Sequence, residues 1–402
     1  MEERTLRVLE FNKIKEKLKE YAITHGGKNL IDNLIPYDTV FEVKNKLKES
    51  NEALDLLITK GNPPFEGLFD VREGVERAKK GGVLSAGQLL KIGGMLKCSR
   101  RFKEYISRRE DEVPHVILED LAYILTPIKN LEDIIEMSII SEDEISDKAS
   151  STLNGIRRNL KEKNSSVRDK INSIVRANAK YLQDTLYTMR GDRYVLPVKA
   201  EYKGAVPGLV HDQSSTGATL FIEPMSLVNL NNEIKELKLK EKAEIERILM
   251  DLSNRVYENI ETVESNYKIL TELDFIFAKG KYASSLNAIC PEVNEDRSFD
   301  IIQGRHPLID PKVVVPSDIY LGKEFNTLMI TGPNTGGKTV TLKTVGLLHL
   351  MGLSGLLIPA KDASSISFFT KIFADIGDEQ SIEQSLSTFS SHMTNIVKIM
   401  KE

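Results

Sequence analysis

Residues 328–346 read LMITGPNTGGKTVTLKTVG, and this stretch decides how the C-terminal part of the chain folds. It contains the spacing G-x-x-x-x-G-K-[ST], in which glycines let the backbone approach an anion and a lysine supplies positive charge. Apolar residues 328–330 precede it and apolar residues at helical spacing follow it, so the pattern predicts a strand, a phosphate-binding loop and a helix. The loop residues are Gly332, Pro333, Asn334, Thr335, Gly336, Gly337, Lys338 and Thr339.

Each residue type in this loop has a chemical reason. Its glycines allow positive φ, so that successive backbone N–H groups can point at phosphate oxygens, and the positive end of the following helix adds to the attraction. Lys338 supplies an ammonium group for the β- and γ-phosphates of ATP, and the Thr339 hydroxyl suits the Mg²⁺ that accompanies ATP. A chance match in a glycine-rich turn is the alternative, but it does not explain the flanking strand and helix.

Upstream of this stretch the sequence has helical periodicity. In residues 1–130, apolar side chains recur every three or four residues and Gly and Pro interrupt the pattern, which predicts a compact helical domain. Residues 131–184 contain one Gly, no Pro and dense charge, which predicts one or two long helices. About 40 helical residues there would span about 60 Å.

Residues 185–225 have the composition of a small sheet. They are rich in β-branched and aromatic residues, with turn signals between the apolar runs, and predict four short antiparallel strands. Residues 226–297 return to helix, and their apolar spacing near 3.5 suits an antiparallel coiled-coil partner, which we expect in 131–184. From residue 298 onward the pattern predicts alternating strands and helices.

The bulk composition describes an ordinary soluble chain. It has 402 residues, enough for two to four domains, a net charge of −4, 6% aromatic residues and no Trp. No apolar signal core begins it, and the most apolar stretch, 345–360, is too short for a membrane span. Cys98 and Cys290 match no metal or redox spacing and predict reduced thiols, so we expect a cytoplasmic protein without a membrane partner.

Basic residues are concentrated in 151–203. This segment carries twelve Lys or Arg and five Asp or Glu, a net charge of +7. Such a surface can neutralise nucleic-acid phosphates without reading sequence, although a solvated helical face is the alternative. The candidate nucleic-acid-binding residues are Arg157, Arg158, Lys161, Lys163, Arg168, Lys170, Arg190, Arg193, Lys199 and Lys203.

Three motifs occur in a characteristic order: GRHPLI at 304–309, TGPNTGGKT at 331–339 and LSTFSSHM at 386–393. This order, with the Asn and the doubled Gly of the phosphate loop, resembles the MutS family of ATPases. The resemblance implies a multidomain fold. It would combine an all-α lever or core domain, a long helical arm tipped by a small antiparallel β clamp, and a partial α/β P-loop ATPase domain of the ABC type.

The resemblance extends over nearly the whole chain. It implies a helical lever domain (1–130), outgoing arm helices (131–184), a β-rich clamp tip (185–225), returning arm and core helices (226–297) and the N-terminal part of the ATPase domain (298–402). The lever helices start at residue 1, and the F-x-E string at 102–104, in helical sequence, is read as chance rather than as a base-stacking wedge. Both features favour the second bacterial branch of MutS over the mismatch-reading members.

Members of that branch continue into a coiled coil and a C-terminal Smr nuclease domain, so we expect the chain to be truncated within the ATPase domain. The acidic catalytic strand of the family is expected beyond residue 402. Asp378 and Glu379 imitate it but precede the family's signature loop, and the catalytic residues therefore stay unknown. An aromatic residue that could stack on adenine is absent from 311–316.

The signature loop itself is represented by SLSTFSSH at 385–392. In the family it crosses the interface of a homodimer to the γ-phosphate held by the partner, so Ser387 and Thr388 are candidates for that role. A solvated helix N-cap is the alternative. Arg305 and His306 are candidates for a position near the nucleotide, with a purely structural role as the alternative.

Three functions follow from the resemblance. The first is a homodimeric ATPase clamp that binds branched DNA and suppresses homologous recombination, its parent also being an endonuclease through the C-terminal domain. The second is a sensor that splits collided ribosomes and binds rRNA. The third is a catalytically inactive fragment that binds nucleotide. The first two need the same basic, non-specific surface, and the sequence leaves all three open.

Overall fold

The computed structural model describes residues 3–107, 113–333 and 337–376, together with 393–394, 396–397 and 399–401. The chain divides into two units. The first unit comprises Met1–Val71, Gly94–Lys129 and Glu261–Glu402, and the second comprises Arg72–Gly93 and Asn130–Ile260.

Helices predominate among the described residues, as the sequence predicts, and small sheets accompany them. The helices are α1 (Glu3–Val8), α2 (Phe11–Lys19), α3 (His25–Asp32), α4 (Val40–Thr59), α5 (Arg72–Lys79), α6 (Ala86–Ile106), α7 (Val116–Ile124), α8 (Lys129–Ser138), α9 (Ser151–Asn178), α10 (Met225–Glu258), α11 (Ile260–Leu286) and α12 (Lys338–Leu353). The strands are β1 (Ile139–Ser141), β2 (Glu144–Ile145), β3 (Thr188–Arg190), β4 (Arg193–Lys199), β5 (Gly208–Gln213), β6 (Thr219–Pro224), β7 (Glu292–Asn294), β8 (Phe299–Gly304), β9 (Ser317–Leu321) and β10 (Ser365–Ser367).

The core of the first unit joins α2 to α12. Phe11, Ile14 and Leu18 recur at intervals of three and four residues and are fully buried, as the helical spacing predicts. They belong to one hydrophobic cluster with Leu347 and Leu350 in the second half of α12. Fully burying one such side chain stabilises the fold by roughly 1.5–3 kcal/mol, so this cluster fixes α12 firmly.

Close contact between α12 and the α1–α2 corner requires a glycine. A Cβ at Gly346 would lie 2.8 Å from both methyl carbons of Leu9, so any side chain there would force Leu9 out of its present position. Leu9 is buried in the same cluster. The hydroxyl of Thr5 donates a hydrogen bond to the carbonyl of Ile372 at 3.1 Å, so the N-terminal helices also hold the segment after β10.

The F-x-E string at 102–104 belongs to the core. Phe102 is fully buried, and its ring lies 5.3 Å from that of Phe65 and 5.7 Å from that of Phe277. Such ring pairs contribute about 0.5–1.5 kcal/mol beyond their area. The prediction that this string is not a base-stacking wedge is confirmed.

The sheet of the first unit has the strand order β7-β10-β8-β9. β10 pairs with β7 in parallel, whereas β8 is antiparallel to both β10 and β9. The strand predicted for residues 328–330 is wrong for the described chain. A strand needs a hydrogen-bonded neighbour, and among the described residues none pairs with this segment, where Met329 is 83% exposed.

A buried carboxylate fastens α3 to α11. Asp274 accepts hydrogen bonds from the backbone N–H of Ile23 and Thr24 and from the Thr24 hydroxyl, at 3.1, 2.7 and 2.6 Å. The Thr24 oxygen in turn caps α3 by accepting from the N–H of Gly27. A Cβ at Gly27 would lie 2.6 Å from a carboxylate oxygen of Asp274, so the short H-G-G sequence lets the helix start against the acid.

In the second unit, the long helix expected across 131–184 is interrupted. α8 ends at Ser138, a hairpin of β1 and β2 follows, and α9 has 28 residues. The prediction of two helices with about 40 helical residues is confirmed, but they do not form one 60 Å helix, and α9 alone spans about 42 Å. The polar turn between Ser141 and Glu144 allows the chain to reverse, a signal that the dense charge of this segment obscures.

α9 and α10 run antiparallel. From the N-terminus of α9 onward, Ser150 contacts Glu244, Arg157 contacts Glu241 and Lys163 contacts Glu233. Residue numbers thus decrease along α10 as they increase along α9. The four short antiparallel strands predicted for 185–225 are present, in the order β3-β4-β6-β5. One face of this sheet packs on α9 and α10 through an apolar cluster that includes Leu196, Val198 and Ile222.

Loss of the Asp274 carboxylate should destabilise the first unit. Asp274→Ala removes an acceptor from three donors, of which the N–H and the hydroxyl of the buried Thr24 would lose their partner inside the fold. We expect the free energy of unfolding to fall by about 2–4 kcal/mol. Denaturant titration followed by circular dichroism checks this, with Asp120→Ala, an exposed aspartate on α7, as the control. Equal stability of the Asp274→Ala variant and the parent chain would contradict the assigned role.

Candidate functional site

In the described parts of the phosphate loop, the glycine backbone has positive φ and free space around it. Gly332 has φ 143° and Gly337 has φ 80°, values that residues with a side chain rarely adopt, and an added Cβ at either would meet nothing within 4 Å. Gly337 is the N-cap of α12 and offers no side chain to cap it. The first turn of the helix therefore presents its N–H groups to an anion. Residues 334–336, Asn334, Thr335 and Gly336, lie outside the described residues.

Lys338 bends back over this loop. Its ammonium donates a hydrogen bond to the carbonyl of Gly332 at 2.5 Å, so the positive charge lies over the loop rather than out in solvent. Thr339 is exposed in the first turn of α12. Lys338 and Thr339 thus both lie in the first turn of α12 next to the loop, an arrangement that fits the phosphates and the metal ion of a bound nucleotide.

A cleft of about 530 Å³ opens beside Thr339. Its apolar wall comes from Leu308, Ile309 and Val340, together with the buried ring of His306. Charged residues also line the cleft, from α2, the two residues that flank it, and α12: Glu10, Lys13, Glu16, Lys17, Glu20 and Lys343. An apolar wall beside a phosphate site is the arrangement that accepts a nucleoside.

Ion pairs set the charge of this cleft. Glu10 accepts hydrogen bonds from Lys13 at 2.5 Å and from Lys343 at 3.3 Å. The hydrogen bond from Lys13 is the main cause that lowers the pKa of Glu10, and Lys343 adds to it against the effect of burial. Burial lowers the pKa of His306, so its ring is neutral near pH 7.

Arg305 and His306 of the RHP sequence have different surroundings. His306 lines the cleft, whereas the guanidinium of Arg305 donates to the carbonyls of Leu286 and Asn287 at 3.2 and 2.9 Å, at the end of α11. A cation at a helix C-terminus satisfies carbonyls that the helix leaves unpaired. Arg305 thus has a structural contact at the point where α11 ends.

Sequence reasoning missed the contribution of α2 and Lys343 to the cleft. Lys343 lies four residues after Thr339, on the same face of α12, and helical spacing could have indicated it. Glu10 and Lys13 are more than 300 residues away in sequence, and no local pattern connects them to the loop.

Other predicted site residues lie outside the described part of the chain. This holds for Ser387 and Thr388 and for Asp378 and Glu379. Among the residues that are described, no group of three His, Cys, Asp or Glu side chains could hold a metal ion.

The predicted nucleic-acid-binding residues of α9 fall into two groups. Arg157 forms ion pairs with Asp147 at 2.6 Å and with Glu241 at 2.7 Å, and Lys163 forms an ion pair with Glu233 at 2.6 Å. Arg158 lies 3.9 Å from Glu162. The other group is exposed and has no ion pair within the described residues: Lys161, Arg168 and Lys170.

The predicted residues of the sheet have different surroundings. Tyr194, Leu196 and Val198 pack in the apolar cluster, whereas the guanidinium of Arg193 reaches α10 and donates to the side-chain oxygen of Asn232 at 2.7 Å. Lys199 is half-buried at the end of β4. Arg190 stacks on Phe221 with its guanidinium carbon 4.1 Å from the ring centroid, and it also pairs with Asp212. Lys203 is exposed in the 3₁₀ turn that follows β4.

Arg193 serves a buried acid. Glu223 is fully buried and accepts from Arg193 at 2.8 and 3.0 Å, from His211 at 2.5 Å and from the Asn231 amide at 2.7 Å. Burial by itself raises the pKa of Glu223. The hydrogen bonds from Asn231, His211 and Arg193 outweigh burial and hold that pKa below its ordinary value.

A glycine loop that leads directly into a helix without a side-chain cap is the architecture of P-loop nucleotide-binding proteins. Residues 328–402 match the family MutS domain V. Proteins named endonuclease MutS2 align with the whole chain: it is 73% identical to that of Clostridium beijerinckii, 69% to one from Clostridium botulinum and 63% to that of Clostridium acetobutylicum. The chain belongs to the MutS family, in the branch of these MutS2 proteins. The alignments include the whole chain but only 51% of each relative, so the chain spans about half the length of the proteins that it matches.

The described helices include none with the length and apolar character that crossing a membrane requires.

The Glu223 network predicts a pH-dependent contribution to the stability of the second unit. Its folded-state pKa is lower than the unfolded value, so the stabilisation is complete above the ordinary Glu pKa of about 4.3 and disappears as the pH falls through the folded pKa. We expect Glu223→Gln to lower the free energy of unfolding by about 1–3 kcal/mol near neutral pH, and by progressively less below about pH 4.

Denaturant titrations of the two proteins across this pH range measure the difference. Glu246→Gln, a change at an exposed site on α10, is the control. A difference that stays constant into acid would show that ionised Glu223 does not stabilise the fold.

Proposed function

We propose that this chain binds Mg²⁺-ATP at its phosphate loop and grips nucleic acid with its second unit, as part of a larger MutS2-type ATPase. The observation that carries the proposal is the first turn of α12. It begins at Lys338 directly after a glycine with positive φ, and the cap has no side chain. The ammonium of Lys338 lies over the loop, and a nucleoside-sized cleft adjoins Thr339.

The proposed site divides the nucleotide between two surfaces. Backbone N–H groups of the loop and the Lys338 ammonium would hold the phosphates, while the Thr339 hydroxyl would serve as a ligand of Mg²⁺. The nucleoside would lie against Leu308, Ile309 and the neutral ring of His306. When bound, ATP supplies a phosphoanhydride bond whose hydrolysis can drive work.

The proposed nucleic-acid contact rests on the exposed cations of α9. Lys161 and Arg168 are seven residues apart, two helical turns, so they lie on one stripe about 10.5 Å apart along the axis. Because the described residues offer them no ion pair, they can neutralise phosphates at little internal cost. Branched DNA is the proposed target, and a role in suppressing recombination would follow from it. Ribosomal RNA presents the same phosphates, so competition between four-way junctions and ribosomes decides between the two.

The remaining parts of the proposal concern the whole protein. The relatives are named endonucleases, and we extend that activity to the full-length protein of this chain rather than to the described residues. A homodimer, in which Ser387 and Thr388 reach the nucleotide of the partner, completes the proposal. The catalytic acids stay unassigned, and the chain alone need not turn over ATP.

The phosphate loop is tested by one substitution. Lys338→Ala removes the ammonium that would bind the β- and γ-phosphates, so we expect nucleotide affinity to fall about 100-fold, which corresponds to about 2.7 kcal/mol. Titration with a fluorescent ATP analogue in the presence of Mg²⁺ measures it, and Lys28→Ala, an exposed lysine on α3, is the control. Unchanged affinity would refute the site. Steady-state hydrolysis, followed in parallel, shows whether this chain holds its own catalytic acids.

The nucleic-acid surface is tested through salt dependence. Replacing Lys161 and Arg168 by Gln should weaken DNA binding and reduce the slope of log affinity against log salt by about two, one for each lost phosphate contact. Fluorescence anisotropy at several salt concentrations measures the slope.

The matched control removes two cations elsewhere in the same unit. Lys240, which is exposed, and Arg255, which is half-buried, lie on α10 and pair with Glu236 and Asp251 one turn away. Their replacement by Gln changes the net charge equally but should leave the slope unchanged. An equal effect of both double variants would mean that net charge, not this stripe, governs binding.

A further inference from the structure

Two tyrosines, the half-buried Tyr181 and the exposed Tyr202, form a pair where α9 gives way to the sheet. Tyr181 ends the 3₁₀ turn Ala179–Tyr181, and Tyr202 lies in the 3₁₀ turn Ala200–Ala205. Their ring centroids are 5.3 Å apart and their planes are inclined by 50°. The ammonium of Lys180 lies 4.7 Å from the centroid of the Tyr181 ring. We name this group, Lys180, Tyr181 and Tyr202, the tyrosine tip.

The backbone holds the tip in position. Leu182 forms a bridge with Val198, and the N–H of Gln183 donates to the carbonyl of Pro197 at 2.8 Å, which fixes the end of α9 beside β4. On the other side, the N–H of Ala200 donates to Ala218 at 2.9 Å. Both turns are thus anchored to the sheet, and the two rings meet without a long linker on either side.

The tip differs from the other tyrosine pair of this unit. Tyr187 and Tyr194 also meet, at 5.8 Å, but Tyr194 is buried and its hydroxyl donates to Asn164. That pair is part of the core. Tyr202 is 39% exposed and keeps part of its ring in solvent, where an aromatic surface gains nothing from the fold.

Charge around the tip favours an anionic partner. In residues 179–184 and 199–205, Lys180, Lys199 and Lys203 outnumber Asp184 and Glu201 by three to two. A nucleic-acid strand combines phosphates, which these lysines can neutralise, with flat bases that stack on aromatic rings. Bases inside a duplex already stack on their neighbours, so only unpaired bases can use the ring.

We infer that the tyrosine tip stacks on unpaired nucleobases, with Tyr202 as the platform and the adjacent lysines on the flanking phosphates. The inference rests on the proposed nucleic-acid contact and deepens it. The second unit then prefers strands with exposed bases, such as gaps, flaps and loops, over continuous duplex. Cations on α9 contribute affinity for any nucleic acid, and the tip contributes the discrimination.

The test compares single-stranded DNA, an abasic strand of equal length and a duplex, each titrated with the full chain by fluorescence anisotropy. Tyr202→Ala should weaken binding of the single strand about tenfold and leave binding of the abasic strand and the duplex unchanged. Tyr202→Phe keeps the ring and should bind like the parent chain. Tyr257→Ala, at a 54% exposed tyrosine on α10, is the matched control and should have no effect.

A second readout reports stacking directly. The chain contains no tryptophan, so Tyr202→Trp introduces a single tryptophan at the tip, whose emission can be excited selectively. Its emission should be quenched when the single strand saturates the protein, but not by the abasic strand. Unquenched emission at saturation would overturn the inference, as would equal binding of the single strand by Tyr202→Ala and the parent chain.

The outcomes separate the two proposals. If the Lys161 and Arg168 variant loses affinity while Tyr202→Ala does not, the nucleic-acid contact stands and the stacking inference fails. If the parent chain binds none of the three nucleic acids, both fail. Selective loss of single-strand affinity in Tyr202→Ala supports both.

Discussion

The packing of α12 against the α1–α2 corner is the contact on which the rest of the first unit depends. Gly346 lets Leu9 approach the helix, and the leucines that follow Gly346 are buried with the apolar stripe of α2. The last turns of α12 are therefore fixed in the core, while Thr339 in its first turn stays exposed. Together with the hydrogen bond from Lys343 to Glu10, this packing fixes the direction in which the N-terminus of α12 points. The anion-binding end needs no side-chain cap, because packing further along the helix supplies the stability that a cap would give.

In each unit, a buried carboxylate holds several segments together through hydrogen bonds. Asp274 gathers three donors from the start of α3, and Glu223 gathers donors from β4, β5 and α10. A buried carboxylate is tolerated only where donors surround it, and once surrounded it restricts each of them in direction. Thr24, which precedes α3, and Asn231 on α10 each hydrogen-bond one of these acids directly. Both clusters join segments that lie far apart in sequence, so each closes a loop that no local preference would close.

Local patterns were sufficient for the elements that carry a repeat. The spacing of Phe11, Ile14 and Leu18 predicted the buried face of α2, and the apolar runs between turns predicted β3 to β6. Where an outcome depends on partners distant in sequence, the pattern failed. Residues 328–330 are apolar enough for a strand but have no neighbour to pair with among the described residues, and the charges of 131–184 hid the hairpin of β1 and β2. The α2 wall of the cleft was equally invisible, since Glu10 meets Lys343 only after both helices have packed.

The charge of residues 151–203 shows most clearly how partners that are distant in sequence limit a prediction. Residues 151–203 carry a net charge of +7, which reads as a strongly basic surface, yet the sequence window omits the acids that face it. Glu241 neutralises Arg157, Glu233 neutralises Lys163 and Glu223 neutralises Arg193, and all three acids lie beyond residue 203. An ion-paired cation must give up its partner before it can bind a phosphate, so it adds little to affinity. Lys161 and Arg168 have no such partner in the described structure, so their full charge is available to a phosphate. The binding charge of this unit is therefore set by which cations the antiparallel helix leaves unpaired, and not by how many the segment contains.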